Sequence, residues 1–352
     1  MQIENPPEAR PSPADHLFVT DAARPLSLLA RCPAYAPTPL RDIPALGRAA
    51  SVSRLWVKDE TGRMGLGSFK ALGGAFAVAQ MIADAAGVAD PSRPEAKRAA
   101  GKMTFITASA GNHGLSVAAG ARMFGARAVI VLPESAPESF AGRIRALGAD
   151  LRRASGDYEF AVEHAKAEAA RTGWLLLADG SWEGYVERPA LVMEGYTVIA
   201  EECRAAFEAG GQWPTHVYLQ AGVGGLAAAM AAHVRNYWSE QPELIVVEPD
   251  SAPCLLRSVE NGRLTRAEGP ASNMGRLDCK DASLIAYQTL RQTADRFLTV
   301  SDAAALEAAA ICVNHGLATT PSGAAALAAL LAAPPGPEAR CLLIASEGPE
   351  TI

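Results

Sequence analysis

Close cysteine pairs are missing from this 352-residue chain. Its six cysteines, Cys32, Cys203, Cys254, Cys279, Cys312 and Cys341, are scattered singly. That spacing offers neither a metal-ligand cluster nor a disulfide framework, and it predicts a reduced, cytoplasmic compartment. A basic excess is missing too: 32 Lys and Arg stand against 38 Asp and Glu, a formal net charge of −6. No basic run is interleaved with aromatics, so no nucleic-acid partner is expected. Long apolar runs are also absent. The Ala/Leu-rich stretch 324–333 is too short to span a bilayer and is stopped by Pro334-Pro335, so it reads as a buried helix, with no membrane association. The start, Met1-Gln2-Ile3-Glu4-Asn5-Pro6-Pro7, lacks the basic start and apolar core of a secretory signal.

What is present is ordinary in bulk and specific in detail. Hydrophobic residues make up 49% and charged residues 20%, as in a soluble enzyme long enough for two domains. The first forty residues, rich in Pro and Ala, are expected to wrap the surface. Beyond them, short apolar runs predict strands at 54–58, 103–107, 128–132, 151–153, 174–177, 216–219, 244–247 and 341–345. Between these, helical spacing predicts helices at 71–86, 115–124, 141–147, 157–171, 188–207 and 226–238, with Asp157 as an N-cap. The charged, proline-bearing stretch 90–102 predicts an exposed loop. Alternation of this kind means βαβ units: an α/β fold of two open, twisted, mostly parallel sheets with flanking helices.

Three segments carry candidate chemistry. Gly222-Val223-Gly224-Gly225-Leu226 falls between a predicted strand and helix, where a bare backbone and a helix N-terminus cradle an anion. The same residues read as an ordinary βα turn, or as a dinucleotide fingerprint. Gly222, Gly224 and Ala227 satisfy G-x-G-x-x-A, and Glu248 ends the next strand, as in an NAD-dependent dehydrogenase. Lys70 sits in Gly65-Leu66-Gly67-Ser68-Phe69-Lys70-Ala71-Leu72-Gly73-Gly74 at a predicted helix start. Apolar flanks predict a lowered pKa and the neutral amine that a lysine nucleophile needs. Ser109-Ala110-Gly111-Asn112-His113-Gly114 follows a strand, with small residues whose N–H groups are expected to hold a carboxylate. Its plain alternative is that Asn112 caps a helix and His113 makes a local contact. Together, a lysine amine, a planar polar contact and a phosphate cradle are what pyridoxal phosphate needs from a protein.

These segments resemble the fold-type-II, tryptophan-synthase-β-like pyridoxal-phosphate enzymes, and within them the diaminopropionate ammonia-lyase branch. Lys58-Asp59-Glu60 with the Lys70 segment, Asp179-Gly180-Ser181-Trp182-Glu183-Gly184-Tyr185 and Gln220-Ala221-Gly222-Val223-Gly224 carry the likeness. Val247-Glu248-Pro249, Leu277-Asp278-Cys279, Pro321-Ser322-Gly323-Ala324 and Ser346-Glu347-Gly348 extend it in the same order, over roughly residues 36 to 348.

The resemblance implies pyridoxal 5'-phosphate as cofactor, in a cleft between a large domain (1–75 plus 186–352) and a small one (76–185). It implies that Lys70 holds the cofactor covalently and moves the α-proton, and that Asp179 is an acid/base group. Asn112 would meet the ring hydroxyl, Gly222, Val223, Gly224, Gly225 and Leu226 the phosphate, and Ser346, or else Ser322, the pyridine nitrogen. Ser109, Ala110, Gly111 and His113 would grip the substrate carboxylate. It also implies a homodimer. Ala110 departs from the branch, which has an aspartate there, and the Ser-Ala-Gly-Asn-His form is similar to serine and threonine dehydratases. The expected reaction is β-elimination from 2,3-diaminopropionate or a β-hydroxy amino acid. A non-catalytic cofactor-binding protein is the other alternative.

Overall fold

The computed structural model describes residues 1–5, 12, 15–109, 111–134, 136–156 and 158–349. Ala110 and Asp157 lie outside the described residues. In chain order the strands are β1 (Gln2–Glu4), β2 (Leu40–Asp42), β3 (Arg54–Asp59), β4 (Thr104–Ala108), β5 (Arg127–Pro133), β6 (Asp150–Ala154), β7 (Leu175–Leu176), β8 (His216–Gln220), β9 (Glu243–Pro249), β10 (Arg296–Val300) and β11 (Arg340–Ala345). The helices are α1 (Ala23–Leu29), α2 (Pro44–Ala49), α3 (Lys70–Ala86), α4 (Pro94–Ala100), α5 (Asn112–Phe124), α6 (Glu138–Ala146), α7 (Tyr158–Thr172), α8 (Glu187–Gly210), α9 (Gly225–Tyr237), α10 (Cys254–Glu260), α11 (Leu284–Thr293), α12 (Asp302–Asn314) and α13 (Pro321–Ala332).

Two compact units result. The first comprises Met1–Phe69, Gly180–Val186 and Tyr196–Pro349, and the second Lys70–Asp179 and Glu187–Gly195. The first holds a seven-stranded sheet in the order β1-β10-β9-β8-β11-β3-β2. Its five inner strands run parallel, and β1 and β2 close the two edges antiparallel. The second holds a four-stranded, all-parallel sheet in the order β6-β5-β4-β7. Val129 to Leu132 of β5 and Leu244 to Val247 of β9 are wholly buried. Continuous apolar strands of this kind belong to parallel sheets covered on both faces. The α/β architecture of two mostly parallel sheets is therefore the expected one.

Two local expectations need correction. The stretch 90–102 contains α4, begun by Pro94 at its first turn and seated on buried Ala96 and Ala100. Two small apolar faces sufficed where charge and proline suggested a loop. The first forty residues do more than wrap the surface, since β1 joins the sheet edge at β10 and α1 buries Pro25 and Leu29. The segment 250–320, for which the sequence suggested no elements, carries α10, α11, β10 and α12. The Ala/Leu-rich stretch does form a buried helix: α13 packs Ala324 to Leu330 into the core with Leu55, Tyr218, Ile245 and Leu343 of the large sheet. No helix among the described residues is long and apolar enough to cross a membrane.

Candidate active site

The candidate residues fall into two sets, one in each unit. In the first unit, β8 delivers the glycine loop. Gly224 is the N-cap of α9 and has φ +99°, the left-handed region that disfavours any side chain. A Cβ there would lie 2.8 Å from Ala286 Cβ and 2.9 Å from Leu255 Cδ1. No side chain caps α9, so the first-turn N–H groups keep their donors for a ligand and the helix dipole favours an anion there. The loop is latched from outside: Ser283 N donates to Val223 O (2.9 Å), and Ser181 N donates to Ser283 Oγ (3.0 Å). The sequence signals Ser181 as part of a motif, but Ser283 carries no pattern of its own.

Ser346 follows β11 and is buried. Its carbonyl accepts from Phe69 N (3.1 Å), and Gly348 N donates to Gly67 O (2.9 Å). The segment that leads into Lys70 is thus an added rung on the end of β11. Ser322, the second candidate for the pyridine nitrogen, instead accepts from Arg276 N at 3.1 Å.

Upstream of that rung, a buried charge network braces the turn. Arg63 bonds Glu60 through Nε and Nη2 (both 2.7 Å) and Glu202 through Nη1 and Nη2 (both 2.8 Å). Lys58 Nζ meets Glu202 at 2.5 Å. Removing one member would leave a buried charge uncompensated. The Lys58-Asp59-Glu60 segment therefore serves the structure that presents Lys70.

In the second unit, Lys70 is the first residue of α3, and its Nζ is ion-paired and hydrogen-bonded to Asp179 Oδ2. This corrects the expected apolar surround. The partner stands 109 residues away in sequence, so no local reading of Lys70 could find it. Burial would raise the Asp179 carboxyl, but the ammonium of Lys70 and the hydrogen bond it donates hold it well below the ordinary carboxylate range. Gly74 lets α3 lie against α5, since a Cβ there would meet Ser116 Oγ at 2.6 Å.

The asparagine loop follows β4. Ser109 Oγ accepts from Gly111 N (2.9 Å) and Gly114 N (2.8 Å). Two of the N–H groups expected to bind a carboxylate are therefore engaged, and the Ser109 hydroxyl keeps its hydrogen for a ligand acceptor. Asn112 and His113 open α5, both buried. His113 Nε2 meets the Leu177 carbonyl at 2.8 Å.

The dinucleotide alternative fails at Glu248. Its carboxylate accepts from Leu255 N and Leu256 N, both at 2.8 Å, and is fully buried at the start of α10. It caps a helix and offers nothing to a ribose. Among the described residues no His, Cys, Asp and Glu group could hold a metal ion.

The fit to pyridoxal phosphate rests on these observations: a cradle that a Cβ at Gly224 would fill, an uncapped helix N-terminus, a buried neutral hydroxyl at Ser346 and a lysine at a helix start. Comparison with known proteins agrees. The model of the pyridoxal-phosphate dependent enzyme family matches residues 32–347, and the chain belongs to that family. It is 36% identical over 276 residues to diaminopropionate ammonia-lyase of Escherichia coli (strain K12), covering 77% of this chain and 69% of the relative. The holo crystal structure of diaminopropionate ammonia lyase from Escherichia coli superposes with a TM-score of 0.88 at 28% identity, covering 99% of this chain and 94% of that one. A probable D-serine dehydratase of Paracidovorax citrulli is 29% identical over 227 residues, 60% of this chain and 49% of the relative. The chain is a pyridoxal-phosphate-dependent enzyme.

Proposed function

We propose that the chain catalyses β-elimination from a β-substituted amino acid, releasing a 2-oxo acid and ammonia. The observation that carries this reading is the Lys70–Asp179 ion pair, held at the start of α3 in a chain of this family. Pyridoxal phosphate, when bound, supplies the electron sink that makes the substrate's α-proton acidic. Gly222 to Leu226 would hold its phosphate with backbone N–H groups, Ser346 would offer the ring nitrogen a neutral hydroxyl, and Asn112 would meet the ring hydroxyl. Lys70 would carry the cofactor and take the α-proton. The Ser109 hydroxyl, with the loop N–H groups that Ser109 Oγ and Val131 O leave unengaged, would orient the substrate carboxylate.

Asp179 begins as a carboxylate. A proton it delivers to the leaving group must first come from Lys70 Nζ or from the substrate's own ammonium group. Loss of the α-proton and the β-substituent leaves an enamine, which water converts to the 2-oxo acid and ammonia. An amine leaving group adds a second ammonia.

Two substrate classes are in play, and each has its support. The 36% identical ammonia-lyase favours 2,3-diaminopropionate. Ala110, in a Ser-Ala-Gly-Asn-His loop, and the dehydratase relative favour a β-hydroxy amino acid such as serine, threonine or an aryl-serine. Release of 2-oxo acid from both enantiomers of each decides between them. Turnover of none of them would overturn the reading. The scattered, free cysteines support a reduced cytoplasmic setting, and the assembly we propose is a homodimer.

A further inference from the structure

Within the second unit, His113 stands apart from the other loop residues. It is 3% exposed, and its Nε2 faces the Leu177 carbonyl, which can only accept. Nε2 must therefore carry the proton. Nδ1 is buried and makes no hydrogen bond among the described residues. Burial pushes the imidazole pKa down and Lys70 opposes its protonation, against the pull of Asp179 and the bond to Leu177. The ring is thus a neutral Nε2–H imidazole with a bare Nδ1. Leu177 N in turn donates to Ile106 O (2.8 Å), which continues the β4–β7 ladder by one residue. Asp179 follows two residues later, already clear of any strand.

We infer that His113 is a positioning residue: its Nε2–H pins the Leu177 carbonyl and so holds Asp179 against Lys70. This moves His113 from the substrate-gripping role that its place in the asparagine loop suggested. The loop and the carboxylate become one device, since the residue next to Asn112 fixes the strand end that carries Asp179. The inference rests on the proposed reading of Asp179 as the group that moves protons for Lys70.

Three measurements test it. In histidine-labelled protein, nitrogen NMR should show one imidazole as the Nε2–H tautomer that does not titrate from about pH 6 to 8, with and without cofactor. That signal should vanish in His113→Gln. An Nδ1–H tautomer or a titrating ring overturns the inference, whatever the activity.

His113→Leu, with no donor, should lower kcat by about tenfold to a hundredfold, the effect of a misplaced reacting group, with KM little changed. His113→Gln, whose amide N–H can reach the same carbonyl, should recover most of that loss. Equal losses in both variants, or a loss confined to KM, overturn it.

In an Asp179→Asn background, His113→Leu should cost nothing further in kcat, because the group it positions is gone. Additive losses would make His113 an independent contributor. Should Asp179→Asn alone retain full activity, the proposed role of Asp179 fails instead, and the NMR result separates the two failures.

Discussion

The two units present the chemistry in opposite ways. The four-stranded unit offers titratable groups held in pairs: Lys70 with Asp179, and a neutral His113 on the Leu177 carbonyl. The seven-stranded unit offers neutral donors: the uncapped start of α9, the bare backbone around Gly224, and the hydroxyl of Ser346. Where a proton has to move, the fold supplies charge and fixes it with a partner. At the start of α9 it supplies backbone N–H groups that do not titrate. The comparison also assigns cost. Paired charges are vulnerable to removal of either partner, whereas a glycine cradle is vulnerable to addition of a single methyl group.

The largest effect should come from the charged side. Lys70→Ala is expected to abolish turnover together with the borohydride-sensitive visible absorption of the loaded protein. A variant that keeps both would place the cofactor lysine elsewhere. Next, Asp179→Asn preserves shape but moves no proton, and elimination should slow by about 10²–10⁴-fold. Exchange of the α-proton with deuterated solvent should slow less. Equal loss in both measurements would make Asp179 a binding residue.

On the neutral side, Gly224→Ala adds no charge, yet its methyl group meets Ala286 and Leu255 at a φ of +99°. It should cost about 1–3 kcal/mol in stability and weaken cofactor binding, read by denaturant titration and by cofactor dissociation. Unchanged values would show that the loop can shift, and the contrast between the units would blur.

An effect confined to pH dependence concerns Glu248, whose buried carboxyl caps α10. Burial pushes it up to about 8, against the N–H groups of Leu255 and Leu256 and the thiol of Cys254. A carboxyl raised in the folded state contributes stability that is full below its unfolded pKa of about 4.3 and is lost as pH rises toward 8. Glu248→Gln should therefore flatten a downward slope of at most about 1.4 kcal/mol per pH unit over that window. A slope that survives in the variant would assign it to another group.

Legibility followed the range of the interactions. The apolar runs of β3, β5, β8, β9 and β11 and the long helices α3, α8 and α9 stand out because burial on both faces, or a steady helical stripe, leaves a local pattern. Short elements such as α4, α10 and β1 do not, because they are stabilised by a few contacts with distant chain. The same division runs through the site. Gly222, Gly224, Lys70 and Asn112 stood out as candidates from their immediate neighbours, and Ser346 only through the family resemblance. Ser283, the latch on the glycine loop, and Glu202, the brace behind the lysine segment, have no local signature.

The sequence by itself determined the class of chemistry, because a lysine, an asparagine loop and a glycine loop in this order are local patterns that survive without coordinates. It also determined the alternation that makes two mostly parallel sheets. Only the tertiary structure decided the electrostatics. It turned an expected apolar lysine into one half of an ion pair, occupied two of the loop's N–H groups with Ser109, and spent Glu248 on a helix end. Each of those depends on groups brought together across the chain or around a turn, and charge, unlike hydrophobic periodicity, takes its meaning from the partner that folding places beside it.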